Sequence, residues 1–215
     1  MQLTSLKIPG YKDQPVPNTF YRQDSETRQL GIVLPGFRHS ADRAELYYGA
    51  RILLEKGADV LRAEYTYYET DYVKVSDDEQ YDWISKDASA VGNAGLAQRP
   101  YERITLLGKS LGTIAMGHLL GDPRFRTATC VWFTPVLTDP MMVDRIQQVK
   151  PRSLFIIGTA DHYYQPDVLK SLVAATQGRA TVIDGANHGL EIPGSIPQSL
   201  DTLNRIVTDL QEFLR

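Results

Sequence analysis

Six short runs, most of them nearly unbroken in apolar residues, recur along the chain, and helix-like segments alternate with them. They are residues 29–34 (QLGIVL), 58–67 (carrying VLRAEYTY), 103–107 (RITLL), 129–133 (TCVWF), 153–157 (SLFII) and 180–183 (ATVI). Runs of this length closed by Gly, Pro or Asp read as buried strands. The segments between them repeat apolar residues at helical spacing. Leu46, Ala50, Leu53 and Leu54 share one face, with Ser40 as the cap and Gly57 near the end. Asp77, Asp78 and Glu79 suit the first turn of a helix that holds Trp83, Ile84, Ala88 and Val91. Leu111, Ile114, Ala115, His118 and Leu119 form another face, with His118 read as a satisfied core histidine. Pro166 opens a helix burying Val168, Leu169, Leu172 and Val173. A closing helix repeats Leu200, Leu203, Val207, Leu210 and Leu214, a stripe assigned to the core. Such alternation defines an α/β fold: a mostly parallel twisted sheet flanked by helices on both faces.

Length and composition narrow the function. The 215 residues suit one domain, residues 1–215, with 1–28 as edge strands or a hairpin and 29–215 as the core. Lys and Arg number 23 against 26 Asp and Glu, for a net charge of −3, so no general basic field draws nucleic acid. No apolar run approaches the roughly 18 residues that span a bilayer. The first residues show neither the basic nor the apolar region of a secretory signal, so a cytoplasmic location is expected. The single cysteine, Cys130, excludes an internal disulfide and a cysteine-rich zinc cage, and its mid-strand position reads as a small buried residue.

The chemistry must come from motifs. Gly108-Lys109-Ser110-Leu111-Gly112 is a G-x-S-x-G placed between the RITLL run and the helix that follows. A nucleophile elbow needs this strand–turn–helix setting, because the glycines permit a turn that lifts the serine hydroxyl above the strand ends. The turn also aims the amide of Leu111, at a helix N-terminus, toward a developing oxyanion. Lys109, inside the elbow, is placed toward the rim of the sheet. Asp161 follows SLFIIGTA, and His188 lies in Asp184-Gly185-Ala186-Asn187-His188-Gly189 after the ATVI run. Ser110, Asp161 and His188 thus each fall past the carboxyl end of a strand, where open α/β sheets build their sites. A serine hydroxyl needs a positioned base, and the base needs an acceptor that fixes its tautomer. Asp139, in Thr138-Asp139-Pro140, is the reserve acid, and Asp184 serves its turn.

These residues resemble the α/β-hydrolase fold family over about residues 29–215, on the GKSLG elbow, the GTAD loop and the ANHG loop. Within it the chain looks like small, lidless, dienelactone-hydrolase-like or acyl-hydrolase-like members. The resemblance implies Ser110 as nucleophile, Asp161 as acid and His188 as general base. It also implies a second oxyanion donor in the loop of residues 34–39, at the amide of Phe37. Many members carry His-Gly there, where this chain has Pro35-Gly36. Larger members insert a helical cap between the 129–133 and 153–157 strands. About 19 residues intervene here, room for one short helix near residues 142–148 and no substantial cap domain.

The expected activity is therefore a serine hydrolase acting on carboxylic esters or thioesters of a small acyl substrate, as a monomer or homodimer. Alternatives are peptide, lactone or carbon–carbon cleavage by the same triad, or a non-catalytic scaffold that binds a partner. Arg38 is a candidate for attracting a substrate carboxylate. Tyr65, Tyr67, Tyr68 and Tyr72, with Tyr163 and Tyr164, either line an aromatic pocket or edge the sheet with their hydroxyls in water; Tyr65 and Tyr163 head that set. His39 and His162 have no metal-ligating partner at a suitable spacing, and the chemistry calls for neither metal nor organic cofactor.

Overall fold

The apolar runs form the middle of one eight-stranded sheet. In chain order the strands are β1 (Gln2–Thr4), β2 (Asn18–Arg22), β3 (Gln29–Leu34), β4 (Asp59–Ala63), β5 (Arg103–Lys109), β6 (Thr129–Phe133), β7 (Ser153–Gly158) and β8 (Arg179–Ile183). In space they run β1-β2-β4-β3-β5-β6-β7-β8. The structure, a computed structural model, describes residues 1–38 and 40–215; His39 lies outside the described residues. The β1–β2 and β2–β4 pairs are antiparallel and every other pair is parallel. The N-terminal 28 residues supply two strands on one side of the sheet, β1 at its edge and β2 between β1 and β4. Register pairs Leu34 with Gly108, Lys109 with Phe133 and Gly158 with Ile183, so the carboxyl ends of the parallel strands stand level.

Among the described residues six α-helices cover the sheet: α1 (Ala44–Glu55), α2 (Asp77–Leu96), α3 (Leu111–Leu119), α4 (Pro140–Val149), α5 (Pro166–Thr176) and α6 (Ile196–Phe213). Side chains alternate between faces along each strand. Leu30, Ile32, Leu106, Cys130, Trp132 and Phe155 face α2 to α5 in one core. Val33, Leu107, Val131, Phe133, Leu154 and Ile156 join α1 and α6 in the other. The same period of two sends Lys109 to the side of Leu107, toward α1. Between β6 and β7 only α4 intervenes, so among the described residues no cap domain is inserted there. No helix among the described residues is long and apolar enough to cross a membrane.

Several local expectations move. α1 begins at Ala44, because the Ser40 hydroxyl is taken by the amide of Asp42 in a local turn. β4 stops at Ala63: its last partner is Asn18, the Glu64 amide turns to the Pro17 carbonyl, and Pro17 has no N–H to extend the ladder. On α3 the buried row is Gly112, Ala115, Met116 and Leu119, with Ile114 and His118 half-covered beside it. His118 is not satisfied, since its buried Nε2 has no partner among the described residues. α5 buries Leu169, Leu172 and Thr176 and leaves Val168 and Val173 partly covered. α6 buries Thr202, Ile206, Leu210 and Phe213. Leu200 lies about 200° around the helix from Thr202 and is 61% exposed.

Candidate active site

The elbow is built by close approach of backbones. β5 ends at Lys109, Ser110 takes φ 52° and ψ −119°, and α3 starts at Leu111. That conformation is uncommon for a side chain other than glycine and marks stored strain. It survives because its surroundings determine it. The Ser110 amide donates to the Phe133 carbonyl at 3.0 Å, and the Ser110 carbonyl accepts from the Thr113 amide and hydroxyl at 2.8 and 2.6 Å. A Cβ at Gly108 would lie 2.7 Å from the Gly112 carbonyl oxygen, and one at Gly112 would lie 2.0 Å from that of Leu34. Only glycine fits either position.

The acid and histidine loops meet in the same way. A Cβ at Gly158 would stand 2.0 Å from the Ala186 carbonyl oxygen, and the Ala160 amide donates to that oxygen at 3.0 Å. The histidine turn is shaped by Asn187, whose Oδ1 accepts from the amides of Gly189 and Glu191 at 2.8 and 3.2 Å. Asn187 escaped the sequence reading, although an Asn before a His-Gly pair is a turn former by its own side chain.

Against these loops, His188 Nδ1 lies 2.9 Å from Asp161 Oδ2, and Nε2 lies 2.9 Å from Ser110 Oγ. An ionised carboxylate only accepts, so Nδ1 carries the proton and Nε2 is free to accept from the serine. The Asp161 side chain is fully buried. Burial works to raise its pKa, but the hydrogen bonds from His188 and the Tyr163 amide, with the charges of His188 and His162, hold it below the ordinary carboxylate value. Asp139 is engaged elsewhere: it caps α4, accepting from the Met142 amide at 2.7 Å. Asp184 accepts from the Thr159 hydroxyl at 3.0 Å, as a turn residue does.

The remaining candidates divide. Tyr163 packs edge-on to the His188 ring at 5.4 Å, and the His162 ring lies 5.0 Å from it. One donor atom each of Asp161, His162 and His188 falls within 4.8 Å of the others, a grouping that sequence spacing hides. Two of the three already share a hydrogen bond, which is proton-transfer geometry. Phe37 is half-buried against Tyr72 at 6.1 Å, and the Arg38 guanidinium sits over the Phe37 ring. Tyr65 is placed otherwise than the pocket reading supposes. It is buried and stacks on Tyr67 at 4.8 Å, Tyr67 stacks on Tyr72 at 4.5 Å, and Trp83 packs edge-on to both Tyr67 and Tyr72. Their apolar bodies found better cover against α2 than at the sheet edge. Lys109 also departs from expectation, for it is fully buried. Its partner Glu45 lies in the first turn of α1. The signal for both was present: a lysine two residues after an inward Leu107, and a glutamate beside the inward Leu46.

A cavity of about 640 Å³ lies behind the histidine loop, between α1 and α6, lined by Leu190, Ile192, Ile196, Leu200 and Leu203. Neither Ser110 nor His188 lines it.

Comparisons with protein-family models and with curated proteins find no match. Solved structures do match. A lidless α/β serine hydrolase from Xanthomonas campestris is 18% identical with a TM-score of 0.72, covering 100% of this chain and 94% of that one. A Pyrococcus furiosus esterase is 15% identical with a TM-score of 0.70, covering 99% of this chain and 91% of that one. An α/β serine hydrolase homologue from Coxiella burnetii is 17% identical with a TM-score of 0.69, covering 100% and 99%. At such identities the likeness is one of fold, and with the topology it establishes that this chain has the α/β-hydrolase fold in a minimal form.

Proposed function

We propose that the protein is a serine hydrolase that cleaves carboxylic esters or thioesters of small acyl groups. The observation that carries this reading is the unbroken line from Asp161 through His188 to Ser110, with both links at 2.9 Å. Ser110 attacks the acyl carbon as His188 Nε2 takes its proton, and Asp161 stabilises the imidazolium that forms. The amides of Leu111 and Phe37 are the proposed donors to the tetrahedral oxyanion, each worth about 3 kcal/mol of transition-state stabilisation. His188 then protonates the leaving group, and a water activated by the same nitrogen releases the acyl group from Ser110. The single helix α4 between β6 and β7 supports an uncapped site and a small or surface-presented acyl chain. Strands from both ends of the chain share one sheet, which supports reading residues 1–215 as one domain.

A panel of p-nitrophenyl esters, acyl thioesters, lactones and peptides, assayed with wild type and Ser110→Ala, tests the reading. Turnover of esters or thioesters that disappears in the variant supports it. Turnover confined to peptides or lactones, or unchanged by the substitution, contradicts it.

A further inference from the structure

The residue before the proposed nucleophile is a lysine with a fully buried side chain. An ammonium carries three N–H donors, and three oxygens surround this one. Lys109 Nζ lies 3.0 Å from the His188 carbonyl oxygen, 3.2 Å from Thr134 Oγ1 and 3.1 Å from Glu45 Oε1. The contacts come from three elements: the histidine loop, the turn after β6, and α1. Burial pushes the ammonium below the usual lysine value, while the Glu45 carboxylate beside it acts the other way.

A buried ion pair is weak evidence for stability, since apolar side chains of similar volume often replace one without loss. The placement of this pair is what distinguishes it. We propose that Lys109 is a positioning residue, whose grip on the His188 carbonyl sets the imidazole against the Ser110 hydroxyl; this rests on the serine-hydrolase reading above. Lys109 and Ser110 share a peptide bond, so the clamp refers the histidine loop to the elbow itself. His188 is then held at two points, by its ring through Ser110 and Asp161 and by its backbone through Lys109. Asn187 shapes the histidine turn from within, but its bonds stay inside that turn. Thr134 orients the clamp from the far side, its φ of 42° held by the hydrogen bond that its amide donates to the Ile156 carbonyl at 2.7 Å. Glu45 balances the charge and so permits an ammonium to sit in this place.

Lys109→Met alone strands the Glu45 carboxylate in the core and invites unfolding, so the informative variant is Lys109→Met/Glu45→Leu, which removes both charges. Three readouts are taken on folded protein. They are the downfield proton resonance of the His188 Nδ1–H···Asp161 bond, the rate of labelling by a fluorophosphonate, and kcat and KM for p-nitrophenyl acetate. The expected result is a broadened or missing resonance, with labelling and kcat lowered about a hundredfold, the scale of a misplaced catalytic group, at nearly constant KM. A folded double variant with the wild-type resonance and wild-type labelling rate overturns the proposal. So does a wild type that shows no such resonance at any temperature, because the geometry the clamp is said to hold is then absent. If wild type shows the resonance but neither labels nor turns over, the hydrolase reading fails. The resonance comparison still decides the clamp: its loss in the double variant supports positioning, and its persistence contradicts it.

Discussion

Gly112 and Leu34 meet backbone to backbone, so close that a Cβ on the glycine would lie 2.0 Å from the Leu34 carbonyl oxygen and 2.8 Å from that of Pro35. This contact joins the elbow to the loop that carries Phe37 and Arg38. It brings the N-terminus of α3, which carries Leu111, against the start of the loop after β3. Neither backbone can give way without moving a central strand. Gly112→Ala is therefore expected to cost about 3 kcal/mol of stability, at the upper end of overpacking. Urea unfolding measures it, and a midpoint equal to wild type would show that the two backbones are less tightly apposed.

Ser110 holds a backbone conformation suited to glycine, at φ 52°. Strain of this kind costs about 1–3 kcal/mol and collects at functional sites. Ser110→Gly is expected to be more stable than Ser110→Ala by about 1 kcal/mol, since both lose the hydroxyl and only one loses the Cβ. Thermal unfolding of the pair tests this; an alanine variant at least as stable would mean the turn is unstrained.

The two candidate acids separate cleanly by substitution. Asp161→Asn removes the carboxylate that fixes the Nδ1–H tautomer and is expected to lower kcat about 10³- to 10⁴-fold. Asp139→Asn keeps a good helix cap and is expected to leave kcat within about threefold of wild type, because asparagine caps as well as aspartate. Steady-state kinetics on one ester decides between them, and the reverse ranking would move the acid to the turn after β6.

Asp87 gives a pH dependence of known sign. It is buried on α2 and accepts from the Tyr11 amide at 2.7 Å. Burial raises its pKa more than the hydrogen bond from the Tyr11 amide and the nearby polar groups of Tyr67 and Trp83 lower it. The unfolded chain ionises this carboxyl near an ordinary value of about 3.9, so the folded state disfavours the charge at pH 7. Asp87→Asn keeps an acceptor for Tyr11 and is expected to stabilise the protein at pH 7. That advantage fades as pH falls through the raised folded pKa and vanishes below the unfolded one. Urea midpoints at pH 7 and pH 4 measure it; an advantage that grows on acidification would reverse the assignment.

The sheet and its helices were legible because each strand is a short apolar run with a turn signal after it. The approach of Ser110, Asp161 and His188 was legible for a related reason. Residues just past parallel strand ends share one edge whatever the loops do. What stayed hidden depends on which way a side chain turns once both faces are covered. Tyr65 and Tyr67 looked like edge aromatics, yet α2 offers them Tyr72 and Trp83 as stacking partners. Lys109 looked too polar to enter the core until Glu45, 64 positions earlier, supplied a counter-charge. The α6 stripe is right at Leu210 and Leu214, which are buried, but its N-terminal half sits about one residue off: Thr202 and Ile206 face inward, Leu203 and Val207 are only partly covered, and Leu200 is exposed. A polar residue on the buried row and a leucine on the open one both run against the pattern.

The most direct test of the central claim is intact-mass spectrometry after exposure to a fluorophosphonate, with Ser110→Ala in parallel. The account expects one covalent adduct per chain on wild type and none on the variant. No adduct on folded wild-type protein, or an adduct that persists in Ser110→Ala, would contradict an activated serine at the elbow.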